Sequence, residues 1–202
     1  MRGASFLNCE GTEDPVDGGS SRGLSEKLFD KRVVLFSSEV SPRSATTLIE
    51  QLLALDVEAP EAPVTLYLNS PGGEVNAGFA IYDTIRFIRP PVRIVCTGLC
   101  ASIASIILLA VPASARLSMP NARYLLHQPL FNGDIIGPAS DLEITAGEIM
   151  KSRSRINAII AAACSRSEEQ VAADTQRDFW MTAQEAVAYG LVSAIVSNMS
   201  EL

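Results

Sequence analysis

The sequence predicts an α/β fold with largely parallel strand pairing, and three observations carry the prediction. One local theme, a short apolar strand followed by a turn and an amphipathic helix, occurs three times between residues 32 and 111. Repeated strand–helix units of this kind build parallel sheets covered by helices. Hydrophobic residues make up 48% of the chain and charged residues only 19%, a balance suited to strands buried on both faces. At 202 residues the chain is long enough for one sizeable core and short for two.

The elements follow in order. Residues 1–23 scatter Glu10, Glu13, Asp14 and Asp17 among Gly and Ser, with no apolar stretch of their own. They read as a flexible leader or axial loop, and a single domain is expected over 24–202. Arg32–Phe36 is a strand. Ser41-Pro42 supplies a cap and a first-turn proline for a helix with Ala45, Leu48, Ile49, Leu52 and Leu55 on its inner face, ending before Pro60. Val64–Leu68 is the second strand. Asn69-Ser-Pro-Gly-Gly73 is the turn after it, and a helix from Glu74 carries Val75, Phe79, Tyr82, Ile85 and Ile88. Val92–Cys96 is the third strand, Gly98–Ser105 a small-residue turn, and Ile106–Val111 an all-apolar helix stopped by Pro112.

Beyond Pro112 the units shorten. Arg116–Ser118 and Tyr124–Leu126 are brief strands, and Leu130–Ala139 is a loop or irregular strand. Ser140–Ala163 is continuously helix-compatible, about 24 residues or roughly 36 Å, too long to lie wholly inside a domain of this size. A projecting helix of that kind serves assembly. Ser167-x-x-Gln170 and Thr182-x-x-Glu185 are capping-box spellings, the second opening a helix ended by Gly190, and Leu191–Val196 is a last strand.

Composition excludes several functions. A net charge of −7 without a Lys/Arg cluster leaves no phosphate footprint for nucleic acid. The apolar run 103–111 is far shorter than the ~20 residues a membrane span needs. Cys9, Cys96, Cys100 and Cys164 lack a framework spacing, which favours a reducing, cytoplasm-like compartment, with an organelle stroma or matrix as the alternative. One histidine beside a loose cysteine pair is poor zinc chemistry, so no metal and no cofactor are expected. The chain also contains no Gly-x-x-x-x-Gly-Lys-Ser/Thr loop for ATP.

The candidate chemistry lies at Gly98–Ser105. A turn between a buried strand and a buried helix presents Ser102 where backbone N–H groups are free, although Ser is also an ordinary N-cap residue. A serine nucleophile needs a base, an orienting acid and oxyanion donors. With one histidine in the chain, that base must be His127. Asp174 and Asp178 are both local candidates for the acid.

Asn69-Ser-Pro-Gly-Gly73, Gly98-x-x-Ala-Ser102, Pro120-Asn121-x-Arg123, His127-Gln-Pro129, Arg177-Asp178 and Glu185-Ala-x-x-Tyr-Gly-Leu191 occur here in one order. In that order and spacing the chain resembles the Clp protease proteolytic subunit family from about Leu24 to its end. The resemblance implies a Clp protease/crotonase-like superhelix of repeated β-β-α units with a projecting handle helix, the handle region spanning about 130–163. It implies a serine endopeptidase with Ser102 as nucleophile, His127 as general base and Asp178 as the orienting acid. It assigns the oxyanion hole to the backbone N–H groups of Gly73 and Ile103, and substrate binding to Gly72, Leu130, Phe131, Asn132 and Gly133. It implies two stacked heptameric rings of self or sister subunits and a separate AAA+ unfoldase that uses the ATP and feeds in unfolded polypeptides. The other readings are a non-catalytic structural ring subunit of the same complex, or a crotonase-type acyl-CoA enzyme, which shares the broad fold. Against the family pattern, Ile103-Ala104 replaces the usual Met-Gly after the serine, a substitution that narrows the substrate pocket.

Overall fold

The computed structural model describes residues 18–130 and 137–202. The chain divides into two compact units, 1–31 and 32–202. Of the first, the described part is a helix, α1 (Gly18–Asp30), closed by the Lys31 N–H donating to the Leu28 carbonyl. The leader expected over 1–23 is thus described only from Gly18, where the chain is already helical.

The second unit runs β1 (Val33–Phe36), α2 (Pro42–Glu58), β2 (Val64–Ser70), α3 (Val75–Phe87), β3 (Val92–Ala101) and α4 (Ile103–Leu108). Then come β4 (Arg116–Ser118), β5 (Arg123–Leu126), α5 (Ala139–Cys164), α6 (Glu168–Asp174), β6 (Phe179–Thr182), α7 (Ala183–Tyr189) and β7 (Ala194–Ile195). The sheet order is β1-β2-β3-β4-β7, all parallel, with β5 also on β3 and β6 antiparallel to β5. This is the parallel α/β arrangement the sequence predicts. Ser41 caps α2 through a reciprocal box with Ser44, and Thr182 caps α7 through one with Glu185. Gly190 ends α7 at φ 97°, a left-handed position that suits glycine. On β2 alternate residues Val64, Leu66, Leu68 and Ser70 are buried, and α4 is buried along its whole length.

Several elements differ from expectation, among them the helix expected over Ile106–Val111, which is α4 and starts three residues earlier at Ile103. The strand expected to stop at Cys96 continues to Ala101, because the small residues Cys100 and Ala101 pair with Tyr124 and Leu125 of β5. The turn between strand and helix therefore reduces to Ser102. The strand β6 goes unnoticed in the sequence because its apolar run, Phe179-Trp180-Met181, is only three residues long, and as a sheet edge it buries Met181 alone. The last strand shrinks to Ala194–Ile195, with Leu191 and Val192 buried outside any ladder. The long helix expected over Ser140–Ala163 is α5, 26 residues or about 39 Å. Its inner half buries Ile156, Ile160 and Ala161, and its outer half exposes Leu142, Ile144 and Met150.

Arg116 ties the later elements together. It is 5% exposed, and its guanidinium donates to the carbonyls of Val111 (2.9 Å), Ala163 (3.1 Å) and Gly190 (3.4 Å). One side chain thus satisfies the ends of α5 and α7 where their carbonyls have no helical partner. Arg116→Met keeps the stem but leaves these acceptors buried and unpaired. It should cost roughly 2–5 kcal/mol in denaturant unfolding, whereas a loss under 1 kcal/mol would show that the carbonyls find other donors.

Candidate active site

Parallel pairing of β3 with β5 matches Leu99 with Arg123, Cys100 with Tyr124 and Ala101 with Leu125. Ser102 continues that line, its N–H donating to the Leu125 carbonyl at 2.8 Å. Antiparallel pairing of β5 with β6 matches Leu126 with Phe179, so the next residues in register are His127 and Asp178. Beyond the ladder, the Gln128 N–H donates to Thr175 O (2.9 Å) and its side-chain amide to Gln176 O (3.3 Å), which keeps the two segments together. Ser102, His127 and Asp178 thus occupy successive strand ends on one side of the sheet. Ser102 and His127 also line one small cavity with Val75, Ile103, Ile106 and Ile160.

Ser102 is not an ordinary N-cap. Its side chain makes no capping hydrogen bond, and its backbone sits at φ 56°, ψ −128°, outside the extended region caps adopt. A non-glycine residue held there stores about 1–3 kcal/mol of strain, which persists only where the surroundings fix it. The surroundings are visible: a Cβ built on Gly72 would lie 2.6 Å from Ser102 Cβ and 2.7 Å from Ala101 O. Glycine at 72, itself at φ 92°, is what lets the two turns touch.

Gly73 forms a parallel bridge with Val40, made by the Val40 N–H to Gly72 O (2.7 Å) and the Glu74 N–H to Val40 O (2.8 Å). Both bonds belong to Gly73's neighbours, so the bridge leaves the Gly73 N–H unused. Ile103 opens α4, where a first-turn N–H has no helical acceptor. Its side chain is buried against α3: a Cβ on Gly78 would lie 2.1 Å from Ile103 Cγ1.

The structure separates the two candidate acids. Asp174 is occupied, accepting from the Tyr189 hydroxyl (2.9 Å) and the Gln170 amide (2.8 Å). Asp178 is exposed, and among the described residues nothing bonds to its carboxylate. His127 Nδ1 is buried and likewise has no hydrogen-bond partner among the described residues. The register brings the acid and base to facing positions, and the hydrogen bond between them is not made. The other polar groups of the stretch are accounted for. Ser105 is fully buried and donates to Cys100 O (3.2 Å), and burial pushes the Cys100 thiol well up, which makes it inert.

Gly72 lies against Ser102, while Leu130 is exposed beyond Pro129. Phe131, Asn132 and Gly133 lie outside the described residues. Among the described residues no group of three or more His, Cys, Asp or Glu side chains is arranged for a metal ion. No described helix is long and apolar enough to cross a membrane. What the sequence does not reveal is the edge strand β6, whose register carries Asp178 to His127. Its one available signal was the alternation of Phe179 and Met181 with more exposed neighbours.

A family model described as Clp protease matches residues 17–199. The chain is 40% identical over 197 residues to the ATP-dependent Clp protease proteolytic subunit 2 of Treponema denticola, covering 98% of each chain. Among solved structures it is similar to a ClpP1 mutant from Listeria monocytogenes. That match has a TM-score of 0.80 and 42% identity, and covers 88% of this chain and 98% of the other.

Because Ile103 fills the space a Cβ at 78 would take, Gly78→Ala overpacks the α3–α4 contact. The expected cost is about 1–3 kcal/mol, read from thermal or denaturant unfolding. An unchanged midpoint would mean that α4 can shift freely away from α3.

Proposed function

The chain belongs to the Clp protease family, and from that premise we propose that it is a serine endopeptidase subunit working through Ser102, His127 and Asp178. What supports the assignment most is the register: the pairing β3–β5–β6 carries the three side chains to adjoining strand ends, although they are far apart in the chain.

The mechanism follows from the groups present. His127 takes the proton of the Ser102 hydroxyl as its oxygen attacks the peptide carbonyl. Asp178, turned toward Nδ1, fixes the imidazole's orientation and stabilises its charge. The carbonyl oxygen becomes an oxyanion that accepts from the Gly73 and Ile103 N–H groups, neither of which has another acceptor among the described residues. Collapse expels the amine, which receives the proton from His127 and leaves Ser102 acylated. Water, deprotonated by His127, attacks the acyl carbon, and the acid departs with Ser102 restored. No cofactor enters this cycle.

The substrates are unfolded polypeptides, which the segment Leu130–Gly133 and Gly72 bind as an extended backbone. ATP is used by a partner AAA+ unfoldase of the Clp type. The subunit assembles with itself or a sister subunit in two stacked heptameric rings, α5 serving as the handle, in a cytoplasm-like compartment. In support of this, the outer half of α5 exposes Leu142, Ile144 and Met150, apolar surface a lone chain would bury.

Fluorophosphonate labelling of the assembled protein tests the assignment. Wild type should label, Ser102→Ala should not, and His127→Ala should lower peptide hydrolysis by about three to six orders of magnitude with its melting temperature kept. A wild type that stays unlabelled would favour the non-catalytic ring subunit. Near-normal turnover in His127→Ala would remove His127 from the mechanism.

A further inference from the structure

Strand β3 changes neighbours midway. Its residues Ile94–Cys96 pair with β4, and Leu99–Ala101 pair with β5. On its other side, β2 passes from Leu68 to Ser70 while β3 passes from Cys96 to Cys100, so β3 carries two more residues than its partner across that interval. Such a bulge breaks the ladder and leaves backbone groups to be satisfied some other way. Here the substitute is a side chain. Asn69 Oδ1 accepts the Leu99 N–H at 2.9 Å. Gly98, at φ 69°, lies so close that a Cβ there would be 2.8 Å from the same oxygen.

The bond stands where two parts of the site meet. After Leu99 come Cys100, Ala101 and Ser102. After Asn69 comes Ser70, whose hydroxyl accepts the Gly72 N–H at 3.2 Å and so shapes the turn that presents Gly73. Gly72 touches Ser102 with no space to spare. The Asn69–Leu99 bond spans the bulge just before the pairing resumes at Ser70 and Cys100, and the two together set how far along β2 the end of β3 lies. With it they set the spacing of Ser102 from the Gly73 N–H.

We infer that Asn69 is a positioning residue for acyl transfer, its side-chain carbonyl setting the spacing between the nucleophile and the oxyanion donor. The inference rests on reading Ser102 as the nucleophile. Oxyanion donors act only near 2.7–3.1 Å from the developing charge, and a displacement of about 1 Å at a reacting group costs on the order of 100-fold. Substrate binding through an extended backbone tolerates such a shift, so the loss should fall on kcat and spare KM.

Steady-state hydrolysis of a fluorogenic peptide by the assembled protein tests this with Asn69→Leu, which keeps the shape without the acceptor, and Asn69→Asp, which keeps an acceptor oxygen. We expect Asn69→Leu to lose about 10- to 100-fold in kcat with KM within about threefold, and Asn69→Asp to recover most of the loss. Gly98→Ala, which presses on the same bond from the other side, should show the same split. It decides the matter if Asn69→Leu does not assemble. An unchanged kcat, a loss confined to KM, or equal losses in Asn69→Leu and Asn69→Asp would each overturn the inference while leaving the protease reading intact. A wild type that turns over no peptide would overturn both.

Discussion

The contact between Gly72 and Ser102 is the constraint around which the rest of this unit is arranged. Two turns, one after β2 and one after β3, meet so closely that a Cβ on Gly72 would lie 2.6 Å from Ser102 Cβ. Each is held from behind: the first by Val40 and the Ser70 hydroxyl, the second by the Leu125 carbonyl. Close approach of backbone to backbone is what an oxyanion site demands, because its donors are amides with no length to adjust. Ser102's left-handed φ is the local cost, and the parallel sheet supplies the rigidity that sustains it.

That arrangement explains why much of the molecule was legible. The strands from β1 to β3 are written as short apolar runs, and α2 and α3 between them as amphipathic stripes, so the order of elements from β1 to α4 could be read directly, though the ends of β3 and α4 could not. The glycines were legible for a related reason: Pro71-Gly72-Gly73 is a turn spelling whether or not it catalyses anything. Less legible were elements whose stability is not local. Strand β6 exists because β5 offers it an edge, and Phe179-Trp180-Met181 is too short a β-prone run to announce a strand by itself. The end of β3 looked like a turn because Gly98 and Ala101 are turn residues, yet pairing with β5 and the Asn69 side chain hold it extended. Tertiary pairing decided what propensity left open.

The same division runs through the site. The sole histidine made His127 the only base available, and the expectation for Ser102 needed only a strand–helix junction. Residue type and position alone left Asp174 and Asp178 both open, and it was the Arg177-Asp178 motif of the resemblance that pointed to Asp178. Hydrogen bonding separates them: Tyr189 and Gln170 already engage Asp174, and Asp178 is left with its carboxylate in solvent. For Asp174 to orient an imidazole it would have to share oxygens that already accept from Tyr189 and Gln170, a competition Asp178 does not face among the described residues.

The unmade bond between His127 and Asp178 has an energetic reading of its own. A buried imidazole nitrogen without a partner costs about 1–3 kcal/mol relative to one that is satisfied, which corresponds to a population ratio of roughly 5 to 150. The β5–β6 ladder ends at Leu126 and Phe179, the residues next to this pair, and the two Gln128 bonds hold the segments just beyond it. The opposing term is the hydration an exposed carboxylate gives up, which is of similar size when the bond formed is a good one. Ser102 and the glycine turn, held by backbone bonds and packing, have no comparable freedom. On the proposed mechanism, the rigid half of the site is the half that would stabilise charge, and the adjustable half is the one that would move the proton.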